Sequence, residues 1–376
     1  MTDRLPLRGI TVVEFGGSVA GPFAGWVLAE LGAEVFKIER PEGDDSRGWG
    51  PPFYEGSSSI FHALNRNKRS VVADLTDPET VAKLRRFIVE RADALLQNMR
   101  TGALAKYGLD AEGLLAENPR LIYCNLNAYG TRGPYAEKPG YDLLMQGMAG
   151  IMSVTGEPDG EPVRAGVSVV DEAGGFWCVT GLLAALNRRN ETGRGGVVDA
   201  SLYETALTWM AYHSVSYQLS GKVPERQGSG LAGVVPYQAY ACADGYLIVA
   251  APNDRLFARL CEVLGHPEWP RDARFASSSV RWENKTALNA LLTDALGRET
   301  REHWRPRLDA VGIPCAPIQS VDEVLAHPQT QAVELLQPSP DGKLKLTGLP
   351  LRFDGERPPL RNVAPKLGAD TGEVMG

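Results

Sequence analysis

The chain has 376 residues, 43% hydrophobic and 23% charged, the balance of an ordinary soluble globular protein with enough length for two domains. A net charge of −7 and a pI near 5.4 argue against broad binding to nucleic acid or to anionic membranes. Five scattered cysteines without C-x-x-C spacing and five dispersed histidines exclude the usual disulfide and metal frameworks and suit a cytoplasmic protein. The opening "MTDRLPLRG" lacks an apolar leader, and no run approaches the roughly 18 apolar residues of a membrane span.

The first half alternates strand and helix. "GITVVEF" (9–15) predicts a strand and "GPFAGWVLAELG" (21–32) a helix stopped by Gly32. Strands follow at 33–39, 69–75, 93–98 and 121–129. A helix over 77–92 opens with Asp77 as cap and Pro78 at its first position. Strands separated by such helices predict an α/β fold with an open parallel sheet, which binds ligands beyond the carboxyl ends of its strands.

The stretch "VRAGVSVVDEAGGFW" (163–177) reads as a buried strand through Val167–Val170 that ends on Asp171. A helix follows it. The pattern changes after a long helix starting near Ser201. Gly-rich punctuation, a hairpin around Asp244-Gly245 and three helical segments predict a smaller domain. The boundaries read as 1–200 for the large domain, 201–224 for a linker helix and 225–325 for the small α+β domain. The segment 326–376 is expected to return to the large one.

"FGGSVAG" (15–21) stands where a dinucleotide fingerprint would, but its glycines do not fit G-x-G-x-x-G. A tight turn offering helix N–H groups to a phosphate fits better. Arg40 ends the second strand region. "NRNKRS" (65–70) brings Arg66, Lys68 and Arg69, and "QNMRTGALAKYG" (97–108) brings Arg100 and Lys106. Cations gathered at one sheet edge of an acidic protein point to a polyphosphate ligand, although charge runs also occur simply as solvated surface.

Asp171 has two readings. One is a helix cap. The other is a nucleophile: a carboxylate with an ordinary pKa near 3.9 is ionised at neutral pH and attacks an activated acyl group without a base. On that reading, flanking glycines admit a bulky substrate and free N–H groups hold the oxyanion.

Taken together, "GPFAGWVLAELGAEVFKIERPEGDDSRGWGPP", "NRNKRSVVADL", "NMRTGALAKYGL", "PGYDLLMQGMAG", "PVRAGVSVVD", "TGRGGVVDASLYE" and "GIPCAPI" resemble the family III CoA-transferases, in order over nearly the whole chain. The resemblance implies a Rossmann-like large domain, a small domain and an interlocked homodimer. It also implies acyl-CoA and a carboxylic acid as substrates, with no permanently bound cofactor and no metal. The family nucleophile falls on Asp171. The family's CoA contacts fall on Ser18, Val19, Arg40, Ala73, Leu75, Thr76, Asn98, Met99, Arg100, Lys106, Tyr141 and Asp142. Lys106 stands where some relatives carry arginine, and Thr76 replaces a lysine of formyl-CoA transferase. Racemases of this fold carry His in a "GHD" tripeptide; here it is Gly140-Tyr141-Asp142, and tyrosine is a poor base at neutral pH. The blocks are most similar to the succinate/hydroxymethylglutarate type, which implies a dicarboxylyl-CoA donor, with Arg164 as a candidate partner of a distal carboxylate. Isomerisation on the same fold, by racemisation or intramolecular CoA migration, and acyl-CoA binding without turnover stay open.

Overall fold

A computed structural model describes residues Leu5–Gly376. The first four residues of the opening stretch lie outside the described part.

The chain divides into two compact units: 1–151, 164–220 and 329–376 form the first, and 152–163 with 221–328 the second. In the first unit, β1 (Thr11–Phe15), α1 (Ala20–Glu30), β2 (Glu34–Glu39), β3 (Arg69–Val72), α2 (Pro78–Arg91), β4 (Ala94–Gln97) and β5 (Ile122–Asn127) follow the expected order. Next come α3 (Asp142–Met148), α4 (Val169–Thr192), β6 (Gly196–Ser201), α5 (Leu202–Trp209) and α6 (Ala211–Ser220). The sheet order is β3-β2-β1-β4-β5-β6, with every neighbouring pair parallel. This is the doubly wound order, whose switch point lies between β1 and β4.

Successive side chains explain the two-sided burial. Val12, Val35, Leu96 and Cys124 join α1 and α4 in one core; Val13, Phe36, Leu95 and Tyr123 join Leu84, Phe87 and Ile88 of α2 in the other. Asp77 accepts from the N–H groups of Glu79 and Thr80, the cap read from the sequence. The edge strand β3 is closed by the C-terminal segment: Asp370 accepts from Ser70 N–H, and Thr371 Oγ1 from Val72 N–H.

Two readings need correction. No strand covers Val167–Val170; Val167 is exposed, and Val169 and Val170 begin α4, where Asp171 is the third residue. Local β-branched content loses there to packing of a long helix against α1 and β5. The single helix expected from Ser201 is two, broken at Met210, with Ser201 capping the first by accepting from Glu204 N–H. Helix α4 has 24 residues and a stretch of mean hydropathy 1.4, long and apolar enough to cross a membrane, yet just over half of that stretch is buried within the protein.

In the second unit, β7 (Tyr237–Cys242) and β8 (Gly245–Ala250) form the expected antiparallel hairpin, with β9 (Cys315–Pro317) beside β8. Leu247 and Val249 point into the core while Tyr246 and Ile248 face outward. The three expected helices are α7 (Asp254–Val263), α8 (Lys285–Gly297) and α9 (Arg301–Ala310). The strip 152–163 belongs to this unit because Gly156 pairs with Gly228. The Arg226 guanidinium also donates to the carbonyls of Glu157, Pro158 and Gly160.

Candidate active site

The turn after β1 is built from below. Lys37 Nζ, fully buried, donates to Gly16 O at 2.5 Å and pairs with Asp44 at 2.8 Å and Glu14 at 3.3 Å. Lys68 pairs with the other Glu14 oxygen at 2.7 Å. From the neighbouring strand end, the Asn98 amide accepts from Gly17 N–H and donates to Gly17 O, both at 2.9 Å. Asp44 accepts from Ser18 N–H at 3.3 Å. These contacts hold Ser18 at φ 66°, a left-handed conformation that costs a non-glycine residue energy and marks a constrained site.

Two cavities open on either side of this turn, at the switch point of the sheet. The first, about 280 Å³, is lined by Asn98, Arg100, Lys138, Tyr141 and Asp171; the second, about 510 Å³, by Arg40, Ala73, Leu75, Thr76 and Tyr107. Gly17, Ser18 and Met99 line both. A ligand crossing that wall can therefore place one end beside Asp171 and the other beside Arg40.

Asp171 is buried, with 8% exposure, and is the one carboxylate lining the first cavity among the described residues. Burial, then the negative charges of Asp142 and Glu172, push its pKa up to about 7. This departs from the expectation of an ordinary aspartate: the carboxyl holds its proton to higher pH, and the ionised form is more basic. Burial and Asp142 also raise the Glu172 carboxyl.

A model of CoA-transferase family III matches residues 7–371. The chain belongs to CoA-transferase family III. This family III CoA-transferase is 40% identical to a succinate–glutarate CoA-transferase of Agrobacterium fabrum, over 100% of this chain and 97% of that protein. It is 36% identical to a succinyl-CoA–D-citramalate CoA-transferase of Chloroflexus aurantiacus, over 98% of this chain and 89% of the other. The crystal structure of a CAIB/BAIF family protein from Brucella suis superposes with a TM-score of 0.90 at 41% identity, covering 98% of both chains.

Of the residues this CoA-transferase was expected to use, Ser18, Asn98, Met99, Arg100, Tyr141 and Asp171 meet at the first cavity. Arg40, Ala73, Leu75 and Thr76 meet at the second, with Ser18 and Met99 shared. Val19 stands at the N-cap of α1 and Lys106 is exposed in a short turn; neither lines these two cavities. Asp142 is buried and lines neither. Arg164 is exposed, and its guanidinium reaches Gly166 O at 3.5 Å. Arg40 is exposed and already paired with Asp45 and Glu42. Sequence reasoning missed Lys138, which lies over the Tyr135 ring, and Asp44, which holds Ser18. Lys138 directly precedes "PGYD", so its place beside that block was the available signal.

Three further expectations change. The cations of "NRNKRS" line neither of the two cavities: Arg66 and Lys68 are buried against Glu30 and Glu14. Arg69 begins β3, at the opposite end from Arg40, and pairs with Glu34, Asp370 and Glu373. The glycines after Asp171 serve packing, not substrate approach. A Cβ at Gly175 would sit 3.0 Å from Ala20 O, and one at Gly174 2.9 Å from Leu202. Asp171 does not cap its helix, and the N–H groups of residues 169–172 are all engaged, so they offer no oxyanion donors.

Proposed function

We propose that this family III CoA-transferase moves CoA from a dicarboxylyl-CoA such as succinyl-CoA to a free dicarboxylic acid such as glutarate, through covalent intermediates on Asp171. The observation that carries this is a single buried carboxylate in a cavity joined, across Gly17, Ser18 and Met99, to a second cavity large enough for a nucleotide end. Arg100 and Lys138 add cations to the first cavity, which suits a substrate bearing a second carboxylate. The named activities of the relatives point the same way.

In this mechanism an Asp171 oxygen attacks the thioester carbonyl and expels CoA thiolate, giving a mixed anhydride. The thiolate attacks the aspartyl carbonyl, releases the donor acid and leaves an aspartyl–CoA thioester. The acceptor carboxylate attacks that thioester and expels the thiolate again, forming a second anhydride. The thiolate then takes the acceptor acyl group and frees Asp171. No net proton or electron is transferred. CoA must stay bound throughout, which gives the second cavity its role.

The test pairs a panel of acyl-CoA donors with carboxylic acids, read by mass spectrometry, with hydroxylamine trapping. Succinyl-CoA and glutarate should exchange CoA, and donor plus hydroxylamine should leave a hydroxamate on Asp171. Exchange of a substrate α-proton without CoA movement would replace this reading with isomerisation; binding without either would leave a sensor.

Arg40→Ala is expected to weaken CoA binding about ten- to a hundredfold, the worth of a charged hydrogen bond, without unfolding the protein. Unchanged calorimetric affinity would remove Arg40 from the site. We further propose a homodimer. Helix α6 buries no residue, and Phe176, Trp177, Trp209, Tyr212 and Leu219 are exposed in the same unit, an apolar surface that a second copy would cover. Monomers at micromolar concentration on native mass spectrometry would count against it.

A further inference from the structure

Helix α4 carries Asp171 in its first turn, yet its own cap residue does not cap it. Ser168 occupies the N-cap position, a residue type well suited to the task, and makes no side-chain hydrogen bond there. The work is done from α3. Asp142 Oδ1 accepts from the N–H groups of Val170 at 2.8 Å and Asp171 at 3.3 Å. Its other oxygen, Oδ2, accepts from Gln146 Nε2 at 2.5 Å. Gln146 is itself fully buried, and its Oε1 accepts from Ala165 N–H at 2.9 Å. One turn of α3 therefore grips both ends of the segment that leads into Asp171.

We propose that Asp142 and Gln146 are the positioning pair of the transfer site: they fix the approach and first turn of the helix that bears Asp171 and set a second carboxyl group against its own. This rests on Asp171 being the nucleophile. An asparagine would satisfy the two backbone N–H groups but turn its own NH2 on the Gln146 amide, whereas the carboxyl accepts at both oxygens. The carboxyl of Asp142 therefore sits directly against the first turn that carries Asp171. Its effect on Asp171 is one of repulsion, which makes the nucleophile more basic. The other charged or titratable groups facing Asp171 are Glu172 from its own helix and Arg100, Lys138 and Tyr141 from the cavity wall. Helices α1 and α5 and strand β5 present Ala20, Leu202 and Leu126 there, none of which titrates.

The experiment compares wild type, Asp142→Asn, Asp142→Ala and Gln146→Met for kcat, KM, pH dependence of kcat/KM and hydroxamate formation on Asp171, with circular dichroism to establish folding. Asp142→Asn keeps an acceptor for the Val170 and Asp171 N–H groups and removes the carboxylate together with its Gln146 bond, so the acid limb of kcat/KM should move down by about one pH unit. Asp142→Ala should lower kcat about a hundredfold, the cost of a misplaced reacting group, with KM for acyl-CoA nearly unchanged. Gln146→Met keeps the Asp142 carboxyl but frees it to move; it should lower kcat without moving the limb downward, and it carries the test if the Asp142 variants do not fold. A folded Asp142→Asn with an unmoved limb, or a Gln146→Met with wild-type kcat, overturns the proposal while a wild-type adduct on Asp171 leaves the nucleophile assignment standing. Absence of that adduct in wild type overturns both.

Discussion

Asp171→Asn is expected to abolish CoA transfer while making the protein more stable above neutral pH. Loss of the nucleophile removes the covalent path, and losses of roughly 10⁴-fold or more are usual when such a group is deleted. The stability effect has the opposite direction. An unfolded aspartate titrates near 3.9, whereas the buried Asp171 carboxyl titrates at about 7. A raised folded pKa favours the folded state below the unfolded value and loses that contribution as pH rises through 7. At pH 8.5 wild type therefore carries a penalty of a few kcal/mol that the amide lacks, since a tenfold change in proton affinity between the folded and unfolded chain corresponds to about 1.4 kcal/mol. Urea unfolding at pH 5.5 and 8.5 should show the variant's advantage growing with pH, and wild-type kcat/KM should rise through an acid limb near 7. A variant that keeps the wild-type rate would end the nucleophile assignment. An advantage equal at both pH values would show that burial does not raise this carboxyl.

The second large effect is structural. Glu30→Ala should cost about 3–5 kcal/mol, because it strands the buried Arg66 guanidinium without its counter-ion. Arg66 donates to both Glu30 oxygens, at 2.9 Å and 2.6 Å, and Asn67 donates to one of them at 2.5 Å. Both ion-pair partners have no side-chain exposure. Glu30→Gln, which keeps an acceptor for Arg66, should cost less. Chemical denaturation measures both, and a loss below about 1 kcal/mol for Glu30→Ala would mean that water reaches Arg66 in its place.

These two sites show what local reading can and cannot deliver. The strand and helix order was legible because parallel strands buried on both faces are apolar runs, and because Asp77-Pro78 writes a helix start into the chain. Asp171 stood out by its surroundings, but its place on a helix did not, since Val167–Val170 is β-branched like a strand and only packing against α1 and β5 decides the outcome. Arg66 and Lys68 looked like phosphate ligands because their partners, Glu30 and Glu14, lie 36 and more residues away in sequence. Asp142 carried a motif but no hint that its carboxylate turns inward to the backbone of another helix. In each case the deciding contact is long-range, and short motifs do not record it.

The closure of β3 by residues 368–373 has a consequence for truncated chains. Ser70 and Val72 donate to Asp370 and Thr371, and Arg69 to Asp370 and Glu373, about 300 residues further along the chain. The sheet edge beside the nucleotide-sized cavity is therefore finished only when residues 370–373 reach it. A chain truncated before Gly368 presents an open parallel edge, the kind of surface on which strands of other chains pair.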